Sequence, residues 1–509
     1  MKAKILFIYP TPFRVTGLPV GLASLIAVLK EDGHSVKVFD TAFYRDSESK
    51  SQTEIRAERM ISKEVRDEDD YLPENISDIN DDLIALIRTF KPDLIGFSIL
   101  EIMYATSIRL ANTIKKDCSG IPIITGGVFP TLSPEIVINE PSIDMVCLGE
   151  GETSLRSLAA RICMGKTYDD IEGLWVKGDG KVIKNRPSTL HDINVLPFPD
   201  FSEFDPRLFF KPMQGKMYKM INIETSRGCV NNCTYCAAPH LRKFFRENDC
   251  GKYNRNMDMY KIIEQIHFQI QKYSPEFIYF SSENFLSLSD EEFRQFISAY
   301  EKIRLPFWIQ TRIETLSWER IDELKRVGML WLTIGLEHGN EEFRRKVLKR
   351  HYSNEKFFEK MNILKEAGIG ASVNNVIGFP DETRDLIFDT IKMNKKLYEQ
   401  NNKLETNVFL FTPYRGCELF STCLEKGLVD DVLYTTSSNM NERSVLHFPE
   451  EHQKDLTGLV RTFNLYIRLP ETCYDQIKIA ESPSKEGNAM LKRLIEKISK
   501  TVAKKTGGG

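Results

Sequence analysis

Short apolar runs, each followed by an amphipathic stretch of helical period, recur along this chain in two separate series. In the first half AKILFIYP, HSVKVFDT, PDLIGFSIL, IPIITGG and MVCLGEGE read as strands, with PVGLASLIAVLKEDG and MYATSIRLANTIKK as helices among them. Strands that are apolar throughout, alternating with amphipathic helices, predict a parallel sheet covered on both faces. Gly, Ser and acidic residues collect just after the strands, at the carboxyl edge where open α/β sheets bind ligands. The second series begins at residue 221 and runs through INIETSR, EFIYFSS, PFWIQTR, MLWLTIGLE, ASVNNVIGF and ETNVFLFTP. These βα units predict a partial (β/α)6 barrel of the TIM type, with its chemistry at the C-terminal strand ends. The expected division is a doubly wound α/β domain over 1–184, a Pro- and Phe-rich linker over 185–219, the barrel over 220–412 and a mostly helical region over 413–509. Residues 46–82, charged and poor in apolar side chains, read as a solvated helix and loop insertion, and the terminal KKTGGG as disordered.

Composition narrows the class. A net charge of −3 in 509 residues gives no footprint for nucleic acid or another polyanion. The N-terminal apolar run is a buried strand rather than a signal peptide, and the longest apolar stretch, Leu18–Leu29, is about 12 residues where a membrane helix needs about 20. The expectation is a cytoplasmic protein with no membrane span. In that compartment its ten cysteines are reduced or metal-bound rather than paired.

Three of those cysteines carry the chemistry. Cys229, Cys233 and Cys236 are spaced Cys-x3-Cys-x2-Cys in ETSRGCVNNCTYCA, directly after the first strand of the second series. Three thiolates leave one iron of a four-iron cluster open, free to take an amino-carboxylate chelator. The alternative is a zinc site completed by Cys250, although this spacing is not that of a usual zinc knuckle.

On this triad, with an aromatic residue before its last cysteine, the sequence resembles the radical S-adenosylmethionine superfamily. The resemblance implies a 4Fe–4S cluster, S-adenosylmethionine, and Tyr235 against the adenine. Ser281-Ser282-Glu283 stands where the superfamily has Gly-Gly-Glu at the second strand, which makes Ser282 and Glu283 candidates for the methionyl amine. Gln310 and Arg312 point to one face of the third strand, Arg312 toward the methionyl carboxylate or into a structural salt bridge. IGLEHGN resembles the fourth-strand Gly-x-Glu-Ser-Gly, assigning Glu337 to the ribose hydroxyls; pairing with a barrel arginine such as Arg350 is the other reading. NNVIGFPDET resembles the fifth-strand Gly-x-Pro motif, whereas TPYRGCEL departs from the family's Pro-Gly-Thr-x-Leu.

The N-terminal half resembles the flavodoxin-like (Rossmann-type) cobalamin-binding domain that precedes the barrel in the methyltransferase-like subgroup. GLPVGLASLIAVLKEDGH, PDLIGFSIL, PIITGGVFPTLSPE and LGEGETSL carry this resemblance. It implies cobalamin held by Ser98, Gly126, Gly127, Thr131, Gly149 and Gly151, the glycines letting the cofactor tail approach the backbone. No Asp-x-His-x-x-Gly is present, so no protein histidine is expected on cobalt. The other reading is a cofactor-free cap on the barrel. A methylthiotransferase would need a second cluster on Cys118, Cys147 and Cys163, which fall at a helix end, in a strand and in a helix. Cys250, Cys417, Cys423 and Cys473 could include ligands of an auxiliary cluster.

The resemblance implies reductive cleavage of S-adenosylmethionine to a 5′-deoxyadenosyl radical and methylation of an unactivated carbon through cobalamin, with an electron donor such as flavodoxin or ferredoxin. The enzymatic alternative is a radical cyclase, rearrangement or coupling enzyme; the non-enzymatic one is a cobalamin-binding sensor or carrier. No motif identifies the substrate.

Overall fold

The computed structural model describes residues 2–45, 50–61, 65, 67–178, 180–430 and 442–506. The first sheet contains β1 (Lys4–Tyr9), β2 (Ser35–Asp40), β3 (Leu94–Ser98), β4 (Ile123–Gly126), β5 (Met145–Cys147), β6 (Leu174–Gly178) and β7 (Lys181–Lys184), in the order β2-β1-β3-β4-β5-β6-β7. The five expected strands are parallel, and β6 and β7 extend the sheet antiparallel beyond them. Residues along each strand alternate between two cores. Ile5, Phe7 and Cys147 face one side with the helices Val20–Glu31 and Glu152–Cys163, and Leu6, Ile8 and Val146 face the other with Tyr104–Asp117. The chain reverses its winding between β1 and β3, and the carboxyl ends of those strands leave the crevice that doubly wound sheets use for ligands.

The second sheet has strand β8 (Phe210–Met213) followed by β9 (Lys216–Glu224). A small ribbon of β10 (Ser226–Arg227) and β11 (Arg255–Asn256) stands beside it. The sheet continues with β12 (Phe277–Ser281), β13 (Phe307–Thr311), β14 (Met329–Glu337), β15 (Gly370–Ile377) and β16 (Leu404–Leu410), in the order β16-β15-β14-β13-β12-β9-β8. Six parallel strands form the predicted partial barrel, and β8 is a seventh, antiparallel strand on its edge. Ile221, Ile278, Ile309 and Leu332 point outward to the helices, while Tyr279, Trp308, Gln310, Thr333, Asn374 and Asn407 point into the lumen.

Three stretches differ from expectation. The last residues of the 185–219 stretch form β8 and the start of β9, a hairpin closed by a tight Gln214–Gly215 turn; the edge position tolerates Pro212, which cannot donate to a ladder. Farther back in the same stretch Phe201 and Phe209 pack on Tyr273 in a buried domain contact, as a Phe-rich linker between domains would. The 46–82 segment is not simply solvated: its described part holds the helix Gln52–Glu58, capped by Ser51 with Glu54, and packs charge against charge. Arg56 donates to Glu405 at 3.1 Å and to Asn407 at 3.0 Å, while Asp69 takes Arg14 at 2.6 Å. At the C-terminus, Lys504–Thr506 belong to the helix Lys485–Thr506, and 507–509 lie outside the described residues. That helix packs with Glu450–Arg468 and Tyr474–Ala480 over the outer face of β15 and β16. Among the described residues no helix is long and apolar enough to cross a membrane.

Candidate functional site

The triad sits on the loop between β10 and the helix Ala238–Glu247, over the carboxyl end of the barrel. Cys233 is buried and Cys229 and Cys236 half-buried. Each sulfur accepts a hydrogen bond: Cys229 from Asn231 Nδ2 at 3.3 Å, Cys233 from Arg312 Nη1 at 3.6 Å, and Cys236 from the Ala238 N–H at 3.5 Å, at the start of the helix. Arg242, one turn along that helix, donates back to the carbonyls of Cys229 at 2.5 Å and Asn231 at 3.2 Å. Donors aimed at sulfur favour thiolates, the form that ligates iron. Burial pushes the Cys236 thiol up to about 11, the Ala238 N–H pulling the other way and Glu283 and the neighbouring cysteines adding to the effect. Among the described residues no three His, Cys, Asp or Glu side chains gather tightly enough to ligate one metal ion, the triad included. A four-iron cluster takes its thiolates at separate corners and needs no such convergence. Cys250, the expected fourth ligand of a zinc site, instead directs its thiol to the carbonyls of Asn248 and Pro187, at 3.5 and 3.8 Å.

The other barrel candidates meet around this loop. Gln310 and Ser282 line the cleft above the strands, and Ser282 Oγ lies 3.1 Å from Ser226 Oγ. Glu283 opens onto the same cleft, whose walls hold its carboxyl above the usual value. Arg312 also donates to Glu314 at 2.7 Å. Glu337 is buried and forms the pair with Arg350 that the sequence left as its second reading, Nη1 to Oε1 at 2.5 Å. The same Nη1 lies 3.1 Å from the hydroxyl of Tyr235, so the residues expected at ribose and adenine share one guanidinium. Glu337 has a left-handed backbone, φ +64, at a bulge in β14. A Cβ at Gly335 would overlap its carboxylate, which gives the Gly-x-Glu spacing a steric reason.

In the N-terminal domain the structure brings the candidates together. Ser98, Gly126, Gly127, Gly149 and Gly151 line one cavity of about 240 Å³ at the ends of β3, β4 and β5. Gly127 takes φ +113, and a Cβ there would stand 2.6 Å from the Ile99 carbonyl, so no other residue fits. Thr131 is occupied within the protein: its hydroxyl donates to the Gly127 carbonyl at 2.7 Å and accepts from the Gly149 N–H at 2.9 Å. It braces the two glycine loops. The glycine wall is a cradle that side chains would fill, which fits a flat cofactor with a long tail, and no histidine lines it. Cys118 packs against one face of the sheet and Cys147 and Cys163 against the other. Cys417 and Cys423 share an apolar core in which burial pushes both thiols up to about 12, and Cys473 lies in another.

The two domains face each other across a second cavity of about 320 Å³, walled by Gly127, Gly149 and Glu150 on one side and by Ser226, Glu283 and Gln310 on the other. Sequence reasoning missed the clamp that closes this interface. Arg227 pairs with Glu224 of its own domain at 3.0 Å and with Glu150 and Glu152 of the N-terminal domain at 3.2 and 2.8 Å. Arg255 adds a second contact to Glu150. Burial raises the Glu224 carboxyl above its usual value, Arg227 pulling the other way. The acidic residues of LGEGE were legible as an edge motif, but their basic partners are 75 to 105 positions away.

Comparison with known proteins agrees with this arrangement. The model of the radical SAM superfamily matches residues 223–393, and that of the B12 binding domain matches residues 11–159. An uncharacterized methyltransferase of Pyrococcus horikoshii is 24% identical over 428 residues, covering 81% of this chain and 80% of its own. An anaerobic magnesium-protoporphyrin IX monomethyl ester cyclase of Rubrivivax gelatinosus is 23% identical over 366 residues, 70% of this chain and 63% of the relative. The structure of the radical S-adenosylmethionine methyltransferase TsrM from Kitasatospora setae, solved with tryptophan substrate and an S-adenosylmethionine analogue, superposes with a TM-score of 0.60. That match spans 83% of this chain and 76% of TsrM at 16% identity, a likeness of fold. Both family models are matched in this order along one chain, and the triad loop faces a glycine-walled cradle: the chain carries a radical SAM domain with a B12-binding domain ahead of it.

Proposed function

We propose that this protein is a cobalamin-dependent radical S-adenosylmethionine C-methyltransferase acting on an unactivated carbon. The observation that carries the reading is the shared cleft: Gly127, Gly149, Glu150 and Arg227 border both the glycine-walled cradle and the space beneath the triad loop. When bound, the cluster with S-adenosylmethionine supplies a 5′-deoxyadenosyl radical, and cobalamin supplies a methyl carrier. The chain's own residues hold and orient these groups. Cys229, Cys233 and Cys236 would hold a four-iron cluster through three thiolates. Arg242 and Asn231 keep the loop in shape. Glu283 accepts a hydrogen bond from the methionyl ammonium, Arg312 faces the carboxylate, and Glu337 with Tyr235 takes the adenosyl end. Ser98, Gly126, Gly127, Gly149 and Gly151 form the cobalamin cradle, with Thr131 as its brace. Members of this superfamily need a reductant, here a one-electron donor of the flavodoxin or ferredoxin class. The cyclase relative favours a second reading in which the same radical serves ring closure and no methyl group moves.

The test is anaerobic reconstitution with iron, sulfide and hydroxocobalamin, followed by gel filtration and assay with S-adenosylmethionine, a reductant and candidate substrates. The expected result is retained cobalamin, with 5′-deoxyadenosine and S-adenosylhomocysteine formed together and one methyl group added to product. Loss of all cobalamin on the column, with 5′-deoxyadenosine still formed, moves the assignment to the cyclase-type reading.

A further inference from the structure

The barrel lumen contains a third cavity, of about 350 Å³, which shares Gln310 with the interdomain cleft. Its wall is built of side chains. Tyr279 and Trp308 stand on neighbouring strands with ring centroids 4.5 Å apart. The indole N–H of Trp308 donates to Thr333 Oγ1 at 2.9 Å, and that of Trp331 to Ser372 Oγ at 2.9 Å. Both indoles are thereby fixed in orientation inside the lumen.

The charges on this wall do not balance. Arg14 is paired with Asp69 and Glu74, and Arg56 with Glu405, which also accepts from Gln214 at 2.7 Å. Lys211, on the edge strand β8, has no carboxylate partner among the described residues, and its ammonium lies over the Tyr279 ring at 5.3 Å from the centroid. Lys211 is half-buried, and it lines the lumen cavity. Burial alone lowers its pKa to about 8, which leaves it mostly protonated at neutral pH. A desolvated cation costs free energy unless an anion joins it.

We infer that the lumen is the substrate pocket, and that it takes an organic anion whose carboxylate or phosphate meets Lys211 while a flat apolar portion lies against Tyr279 and the two indoles. This inference rests on the proposed function for its chemistry and adds the substrate class.

The probes are phenyl phosphate, benzoate and the uncharged benzyl alcohol, titrated into the full-length reconstituted protein with tryptophan fluorescence as the readout. The expected result is saturable binding of at least one anion, at least tenfold tighter than benzyl alcohol. Lys211→Met is expected to remove that advantage, and Lys211→Arg to keep most of it, with iron content and melting temperature as controls for folding. Phenyl phosphate against benzoate distinguishes the two sources of negative charge. Equal binding of charged and uncharged probes by the wild-type protein overturns the inference, as does an unchanged preference in a folded Lys211→Met. The cleavage assay tests the proposed function separately, and the titration decides this inference whichever way that assay falls.

Discussion

The two cofactor regions are built on opposite principles. The N-terminal cradle is made by leaving side chains out, with glycines at the ends of β4 and β5 and a backbone brought to the cavity edge. The triad loop is made by putting side chains in: three thiols, Arg242 and Asn231 under them, Arg312 and the Arg350–Glu337 pair behind. Adding atoms therefore damages the first region, and removing them damages the second. Between the two, the Arg227 clamp is the charged hinge on which both depend.

The largest effect is expected at the triad. Cys233→Ala removes one of three thiolates, and iron content and 5′-deoxyadenosine formation should both fall to background in a protein that still folds. Wild-type cleavage rates in that variant would contradict the ligand assignment. Next comes the glycine wall, where two adjacent positions should separate. Gly127→Val meets the Ile99 backbone and should lose more than about 4 kcal/mol, leaving no folded protein to assay. Gly126 has room, its nearest contact being Cys147 Cβ at 3.5 Å, so Gly126→Val should fold, keep its cluster and lose hydroxocobalamin on gel filtration. Full retention by Gly126→Val would break the contrast between the two regions.

Arg227→Met strands the buried carboxylate of Glu152 and the half-buried one of Glu224, and should cost about 3–5 kcal/mol in denaturant melts. A loss below about 1 kcal/mol would mean that the domains are held by apolar packing instead. Glu337→Gln leaves Arg350 buried with a neutral neighbour and should destabilise the unliganded protein by about 1.5–3 kcal/mol. If Glu337 also meets the ribose, S-adenosylmethionine binding should weaken by about tenfold, and an unchanged affinity would confine its role to the Arg350 pair.

The smallest effect is a pH dependence at another interdomain contact, where buried Glu101 accepts from the Arg415 N–H at 3.0 Å. Burial raises its pKa to about 7, against the opposing pull of Arg415. The folded state thus holds a proton that the unfolded chain has released. This contribution is complete below the unfolded pKa and is lost as pH rises through about 7. Stability should fall by about 1 kcal/mol between pH 6 and 8, and Glu101→Gln should flatten that slope. An identical slope in the variant would place the titration elsewhere.

Local pattern was enough for the alternation of strands and helices, the triad on its loop and the glycine motifs, because each depends on residues a few positions apart. Strand period and helix period are written into neighbouring side chains, and three cysteines within eight residues must share a loop wherever the chain goes. The β8–β9 hairpin was harder to read, since Pro212 and the surrounding aromatics look like a connector until the barrel edge provides a partner strand. Only the tertiary structure decided which charges meet. Arg227 with Glu150 and Glu152, Arg350 with Glu337 and Tyr235, and Arg56 with Glu405 are pairings across loops and domains. An arginine carries no mark of its partner, and Coulomb attraction is set by distance in space. The same holds for Lys211: nothing in its sequence neighbours marks it, and only closure of the barrel places it on the lumen wall with no carboxylate partner among the described residues.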